Sequence, residues 1–503
     1  MGVIIKQSIK GTIVTYIGTA IGMVTNLFIL TNYFTQEQIG LTRAFVDAGL
    51  LFVGLAQIGT NASIFRFYPY FKNAENRDNG FFFWTLLVPF IGFCLYLVVF
   101  LIFKNSLAEI FSQKSELLVN YLYFIIPLGF FMLYQTVFET NSVVLLRLVV
   151  PAFVREVGIR LMLLASYLLF AFNCISLTTL VITMCCTYGI AACINLGYLF
   201  SLRRISFKPN LQHITKPLRK DFLLYTLFLM GAALTTAIVP TMGTFFVSAQ
   251  LGLAFTGIYA IAKYMVAFIE IPYRSLGAIA NPHVSQTVKD KNFAETNHLI
   301  KSVSLHQFLI GSLIFFVIWT NIDLIYQIIP NGNDYASGKW VVFILGLSAI
   351  LNTSLAIGGA TLGYSKYYYY SLFFTLLLTI TLVIMNIKFI PVFGINGTAI
   401  ASLSSYCLYY ILLLSLIYWK LKVIPFSWQQ LKVLAIILVL FLINYIWKQY
   451  ITSTVTQHFN SNIWILFLEA LIRTAIIGGI GFLSVYLWKI SENVNALIKK
   501  SKI

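Results

Sequence analysis

The chain has 503 residues, is 59% hydrophobic and only 10% charged, with a mean hydropathy of +0.86. Soluble globular domains carry about 25% charged residues, so that class is excluded and a polytopic membrane protein is indicated. The formal charge of +18 would suggest nucleic acid if it formed one patch, but it is distributed by topology and no nucleic-acid partner is expected.

A hydrocarbon core of about 30 Å takes about 20 helical residues to cross. Taken in chain order, apolar stretches of that size predict spans over 11–34, 41–68, 81–103, 117–139, 149–171, 175–201, 222–248, 254–283, 301–328, 339–363, 367–388, 395–419, 431–448 and 463–488. The expectation is an all-α protein with about 14 transmembrane helices. Lys6 and Lys10 precede the first stretch, which is too long for the core of a signal peptide and lacks a small-residue cleavage pattern, so it reads as a retained span.

Of the 34 Lys and Arg residues, 22 fall at the two ends or on alternate joints, among them the run Arg203, Arg204, Lys208, Lys216, Arg219 and Lys220. The joints of the opposite side hold five: Lys104, Lys114, Lys339, Lys388 and Lys448. This asymmetry places both termini in the cytoplasm, which requires an even number of crossings.

The longest joint, 201–221, is basic and splits the chain. Residues 1–215 form a first lobe with 201–221 as its cytoplasmic linker, 222–425 a second lobe, and 426–503 a final helix pair and cytoplasmic tail. The two lobes have matching hydropathy. A shift of about 217 residues lays Gly40 on Gly257 and Pro151 on Tyr368, so an internal duplication is expected, with both halves running in the same direction around an axis along the membrane normal. That arrangement predicts a central cleft near the midplane. Gly18 and Gly22 make a small-xxx-small packing face, while Gly231, Pro240, Gly243 and Pro272 interrupt the seventh and eighth spans as tolerated kinks or as hinges.

Charged side chains inside spans cost at least about 2.5–3.5 kcal/mol each on insertion scales and are candidate functional groups. Four pairs stand at i,i+4: Arg43 with Asp47, Glu156 with Arg160, Glu270 with Arg274, and Glu469 with Arg473. They are read as structural ion pairs or as groups that exchange partners or couple ions, with Glu270–Arg274 interrupted by Pro272. Arg66, Arg155 and Lys263 have no carboxylate at that spacing. Unpaired cations facing a cleft would hold a multiply charged anion, Arg through its planar fork and Lys as a point charge. The alternative for Arg66 is snorkelling to the interface beside Tyr68 and Tyr70. The run Tyr364, Tyr367, Tyr368, Tyr369 and Tyr370 reads as an interfacial aromatic belt, or as a platform for sugars.

Cys94, Cys174, Cys185, Cys186, Cys193 and Cys407 lie mostly in apolar spans without CxxC or Cys/His spacing and read as buried small hydrophobes; no metal site is expected. Neither a Ser/His/Asp set nor a DxD motif stands on a loop, so the chain is not expected to be an enzyme.

The stretch Thr31–Phe71, with Gly40, Gly59 and an aromatic-flanked Arg66, resembles the opening of O-antigen and polysaccharide (Wzx-type) flippases. These belong to the multidrug/oligosaccharidyl-lipid/polysaccharide exporter superfamily. Gly257–Ser285, with Tyr259, Lys263 and Pro282, is similar to the second helix of the family's C-lobe, and Pro391–Ser402 to the Gly-rich start of its twelfth helix, with Gly394, Gly397, Ala399 and Ala401 matching. The resemblance implies two pseudo-symmetric six-helix lobes in a V shape plus a C-terminal helix pair. It also implies alternating access in the bacterial cytoplasmic membrane, moving an undecaprenyl-diphosphate-linked oligosaccharide of O-antigen, lipopolysaccharide, capsule or exopolysaccharide synthesis to the outer leaflet. Arg66 and Lys263 match the family's diphosphate-binding cations; Arg155 is added from its own position. The family's lipid II flippases carry a charged pair on the first helix, which 11–34 lacks. Membrane lipids and other polysaccharide-biosynthesis membrane proteins are the implied partners. No cofactor is implied, with Na⁺ or H⁺ as the candidate coupling ion. The alternatives are a multidrug cation antiporter of the same fold, and a membrane-embedded polymerase or acyltransferase.

Overall fold

The computed structural model describes the backbone of residues 2–73, 77–208, 216–454 and 463–490, with side chains described over the same residues except 2–12, 216–219, 223–224, 227–230, 232–235, 275 and 278. The middle of the basic joint 201–221 and the expected tail after 490 therefore lie outside the described residues. Those residues form helices joined by short turns, with no strand among them. Twelve of the helices are long and apolar enough to cross a membrane by length and composition. The expected fifth and seventh spans are also helical but fall outside that set. The fifth runs through 149–171 with Arg155, Glu156 and Arg160 on it, and the seventh is Lys216–Gln250.

Packing divides the chain into two compact units, Met1–Ala260 and Ile261–Ile503, whereas hydropathy breaks at 201–221. The division falls later because Lys216–Gln250 packs along Gln36–Ala56. It lies within the single helix Leu253–Lys289, whose first residues belong with the first unit.

In the first unit Gln36–Ala56 is the central helix, with 72% of its apolar window buried, against 17% for Arg77–Ser112. Its start is fixed by a capping box: Thr35 Oγ1 accepts from Gln38 N at 3.2 Å, and Thr35 N donates to Gln38 Oε1 at 3.0 Å. Its end differs from the expected span 41–68. The chain turns left-handed at Ile58 (φ 46°) and Gly59 (φ 71°), and a separate helix, Thr60–Phe71, follows. Near the start of Gln36–Ala56, Gly40 and Gly257 meet. A Cβ on Gly40 would lie 2.0 Å from the Leu253 carbonyl oxygen, and one on Gly257 2.2 Å from that of Gln36. The two residues that the 217-residue shift superimposes are thus the ones through which these helices touch.

In the second unit Lys339–Tyr364 is the inner helix, flanked by Phe293–Thr320, Tyr368–Phe393 and Ile395–Leu421. The last pair, Trp428–Trp447 and Ile463–Leu487, docks on Phe293–Thr320 through Leu305, Leu309, Phe316, Val433, Ile437 and Ile477. Outward-facing apolar side chains are everywhere: Ile102 is 68% exposed and Val392 70%. Surfaces of this kind need a lipid solvent. The cysteines correct the expectation of burial: Cys185 is buried, while Cys94, Cys186 and Cys193 are exposed on apolar helices and Cys174 is exposed in the turn before Leu177–Ser201.

Candidate functional site

The charges inside the helices sort into separate constellations. The largest is on the fifth expected span, where the α-helix opens into a π turn over Val154–Gly158. That turn carries Arg155 and Glu156. Glu156 accepts from Arg155 Nε at 3.1 Å through one oxygen and from Arg160 at 3.0 Å through the other, and Arg155 also pairs with Glu139 on Ile125–Val144. Gln135 donates to the second Glu139 oxygen at 3.3 Å. The network is electrically balanced, and it explains the small pair on the first helix. A Cβ on Gly18 would come 2.2 Å from the Glu156 carbonyl oxygen, and Gly22 faces the Arg160 guanidinium at 3.2 Å. A larger residue at Gly18 would push the first helix off the charged turn.

Arg155 is therefore not an unpaired cation, which corrects the sequence reading. Adjacent residues point about 100° apart in an α-helix, but a long guanidinium arm on a π turn reaches its neighbour's carboxylate. Its other partner lies 16 residues away on a different helix. Glu139 stands at the very end of the predicted fourth span, 117–139.

Arg43 and Asp47 pair as expected, with Arg43 at 2.8 Å from Asp47 Oδ1 and its Nε at 3.1 Å from Oδ2. Asp47 is fully buried, and Thr244 of Lys216–Gln250 donates to it at 2.6 Å. The carboxylate thus joins two helices. Next to it Ser248 and Thr256 share a hydrogen bond of 2.9 Å, and Ser115 donates to the Ser248 carbonyl at 2.6 Å.

Arg66 stands on Thr60–Phe71, is exposed, and lies with its guanidinium 4.0 Å from the centre of the Tyr225 ring and 5.5 Å from that of Phe67. It has no ion pair among the described residues. The expected interfacial neighbours Tyr68 and Tyr70 are not its ring partners: Tyr68 donates instead to Asp78 at 3.3 Å. Tyr225 comes from the seventh span, a contact no local spacing could reveal.

In the second unit Lys263 is half-buried on Leu253–Lys289 and is not isolated, because it and Arg274 both act electrostatically on Glu270. Glu270 and Arg274 form no ion pair within 4 Å among the described residues, and Pro272 stands between them. The last constellation fastens the final helix pair. Arg473, 3% exposed, donates to Asn321 at 2.6 Å and lies 3.7 Å from Glu469. Glu469 accepts from Trp447 at 3.0 Å and Thr452 at 2.7 Å.

The structure thus brings Arg155, Glu156 and Arg160 together, brings Arg43 to Asp47, and gathers Lys263, Glu270 and Arg274 along one helix. No group of three His, Cys, Asp or Glu residues fit for a metal ion occurs among the described residues.

No protein-family model matches the chain, and no curated protein matches it by sequence. Solved structures do match by fold. The lipid II flippase MurJ in its inward closed conformation superposes with a TM-score of 0.69 at 13% identity, over 95% of this chain and 99% of that one. A multidrug resistance MATE family transporter of the MOP superfamily, inward-facing, gives 0.65 at 13% identity over 83% of this chain and 99% of its own. A MOP superfamily transporter from Pyrococcus furiosus, whose binding pocket is described as reversed in polarity, gives 0.56 at 12% over 84% and 96%. The chain is an all-helical membrane protein with the fold that these flippases and transporters share.

Proposed function

We propose that the chain is a flippase that carries an undecaprenyl-diphosphate-linked oligosaccharide from the inner to the outer leaflet by alternating access. The supporting observation is the balance of charge in the constellations described above. There seven cations (Arg43, Arg66, Arg155, Arg160, Lys263, Arg274, Arg473) stand against five carboxylates (Asp47, Glu139, Glu156, Glu270, Glu469). Each of those carboxylates is paired with, or within electrostatic reach of, at least one cation. Each compact unit thus carries one cation more than it has carboxylates in these constellations, which suits an anionic headgroup. An organic cation would need surplus carboxylate, which counts against the multidrug antiporter. Arg66 and Lys263 are each proposed as a diphosphate contact, and Arg155, which pairs with Glu139 and Glu156, is proposed as structural instead. An anion leaving a negative interior gains about 2.3 kcal/mol per charge per 100 mV, so the membrane potential alone favours this direction.

The test is translocation of a fluorescent polyprenyl-diphosphate saccharide in proteoliposomes. A charged hydrogen bond to phosphate contributes about 1.5–3 kcal/mol, so Arg66→Ala and Lys263→Ala are each expected to slow transfer about tenfold or more. Normal transfer by both variants at equal protein content would overturn the assignment.

A further inference from the structure

Four polar side chains gather in the second unit with no hydrogen-bond partner among the described residues. Tyr406 and Tyr409 lie eleven and fourteen residues into Ile395–Leu421, about 16–21 Å along its axis at 1.5 Å per residue. That is near the middle of an apolar core about 30 Å thick, too deep for an interfacial aromatic belt. Tyr406 is within electrostatic reach of Glu270, and Tyr409 of Tyr273. All four side chains are half-buried. Among the described residues no hydrogen bond or ion pair is made by the Glu270 carboxylate or by the hydroxyls of Tyr273, Tyr406 and Tyr409.

Tyr410 shows what a satisfied phenol looks like in the same place. It is 4% exposed, and its hydroxyl donates to Asn352 Oδ1 at 2.7 Å. Its ring supports the other two, with Tyr406 stacked at 6.3 Å and an interplanar angle of 20°, and Tyr409 edge-on at 4.8 Å. Gly359 lies beside this group, where a Cβ would make ordinary van der Waals contact with the Tyr409 hydroxyl at 3.5 Å. The tyrosines are thus held in position while their polar ends stay open. Four partly open polar groups gathered at this depth of an apolar core point to a ligand that satisfies them.

The chemistry narrows the ligand. Lys263 and Arg274 already act on Glu270 and would repel a metal ion. What remains is a carboxylate that accepts, phenols that donate and accept, cations that donate, and ring faces for C–H contact. That is the complement of a polyhydroxylated ring. We propose that Glu270, Tyr273, Tyr406 and Tyr409 form a sugar subsite, taking the hydroxyls and apolar face of the saccharide nearest the lipid diphosphate. This deepens the flippase reading and rests on it.

The test compares binding of purified protein to a polyprenyl diphosphate with and without its first sugar. The wild type is expected to bind the sugar-bearing lipid about tenfold more tightly. Tyr406→Phe and Tyr409→Phe should each erode that preference while leaving affinity for the sugar-free lipid unchanged, and Glu270→Gln should erode it while freeing Lys263 to bind the diphosphate of both lipids more tightly. The phenylalanine variants keep the rings and guard against loss of folding in the glutamine variant. A wild type without preference, variants that retain it, or variants that weaken both lipids equally would overturn the subsite while leaving the flippase reading intact. A wild type that binds neither lipid would overturn both.

Discussion

Arg473 is held in the apolar interior by Asn321 and Glu469, and the latter is itself satisfied by Trp447 and Thr452. Removing one member of a buried pair leaves the other charge uncompensated, at about 3–5 kcal/mol. Arg473→Met should therefore lower thermal stability in detergent by that order, and Glu469→Gln added to it should recover part of the loss. Equal stability of wild type and single variant would show that the pair is solvated. Spacing alone made the local pairs legible: Arg43–Asp47, Glu156–Arg160 and Glu469–Arg473 stand four apart and meet at 2.8, 3.0 and 3.7 Å. The partners of Arg155 in Glu139, of Asp47 in Thr244 and of Arg66 in Tyr225 were not legible, because each lies on another helix and depends on tertiary packing. For the same reason two of the three cations read as unpaired, Arg155 and Lys263, have acidic neighbours.

Hydropathy found the helices because each must hide its backbone from lipid, but it does not see turns made of apolar residues. The predicted span 41–68 continues through Ile58 and Gly59 without a change in polarity, although the backbone there breaks. A side chain at Gly59 would be strained by its positive φ, and Gly40 and Gly257 are constrained by contact. Because a Cβ on Gly40 would strike a carbonyl that cannot swing away, Gly40→Val is expected to cost about 1–3 kcal/mol or more, read as a lower unfolding temperature. Gly197, with nothing within 4 Å, is the control and should tolerate the same change in packing terms. Equal losses at both positions would mean that the crossing at Gly40 is not a tight one. On the first helix, Gly18→Leu should separate that helix from the charged turn at Glu156. The expected sign is increased labelling of a cysteine placed at Glu156 by a small water-soluble thiol reagent.

For the molecule as a whole, composition made the class plain, and the all-helical fold shared with lipid II flippase and MATE structures agrees with it at only 12–13% identity. Such agreement is possible because the bilayer restricts the spanning structures to a few, and many sequences satisfy the same apolar pattern. What the chain carries depends on a handful of charged and aromatic side chains whose neighbours are set by packing, and there the sequence was silent on Tyr406 beside Glu270. The decisive measurement places the reconstituted protein in vesicles with two labelled cargoes, a polyprenyl-diphosphate saccharide and a lipophilic organic cation. Protein-dependent transfer of the anionic lipid, quickened by a potential negative on the side it leaves, with no transport of the cation, is the predicted result. Transport of the cation while the lipid stays in its leaflet would contradict the account.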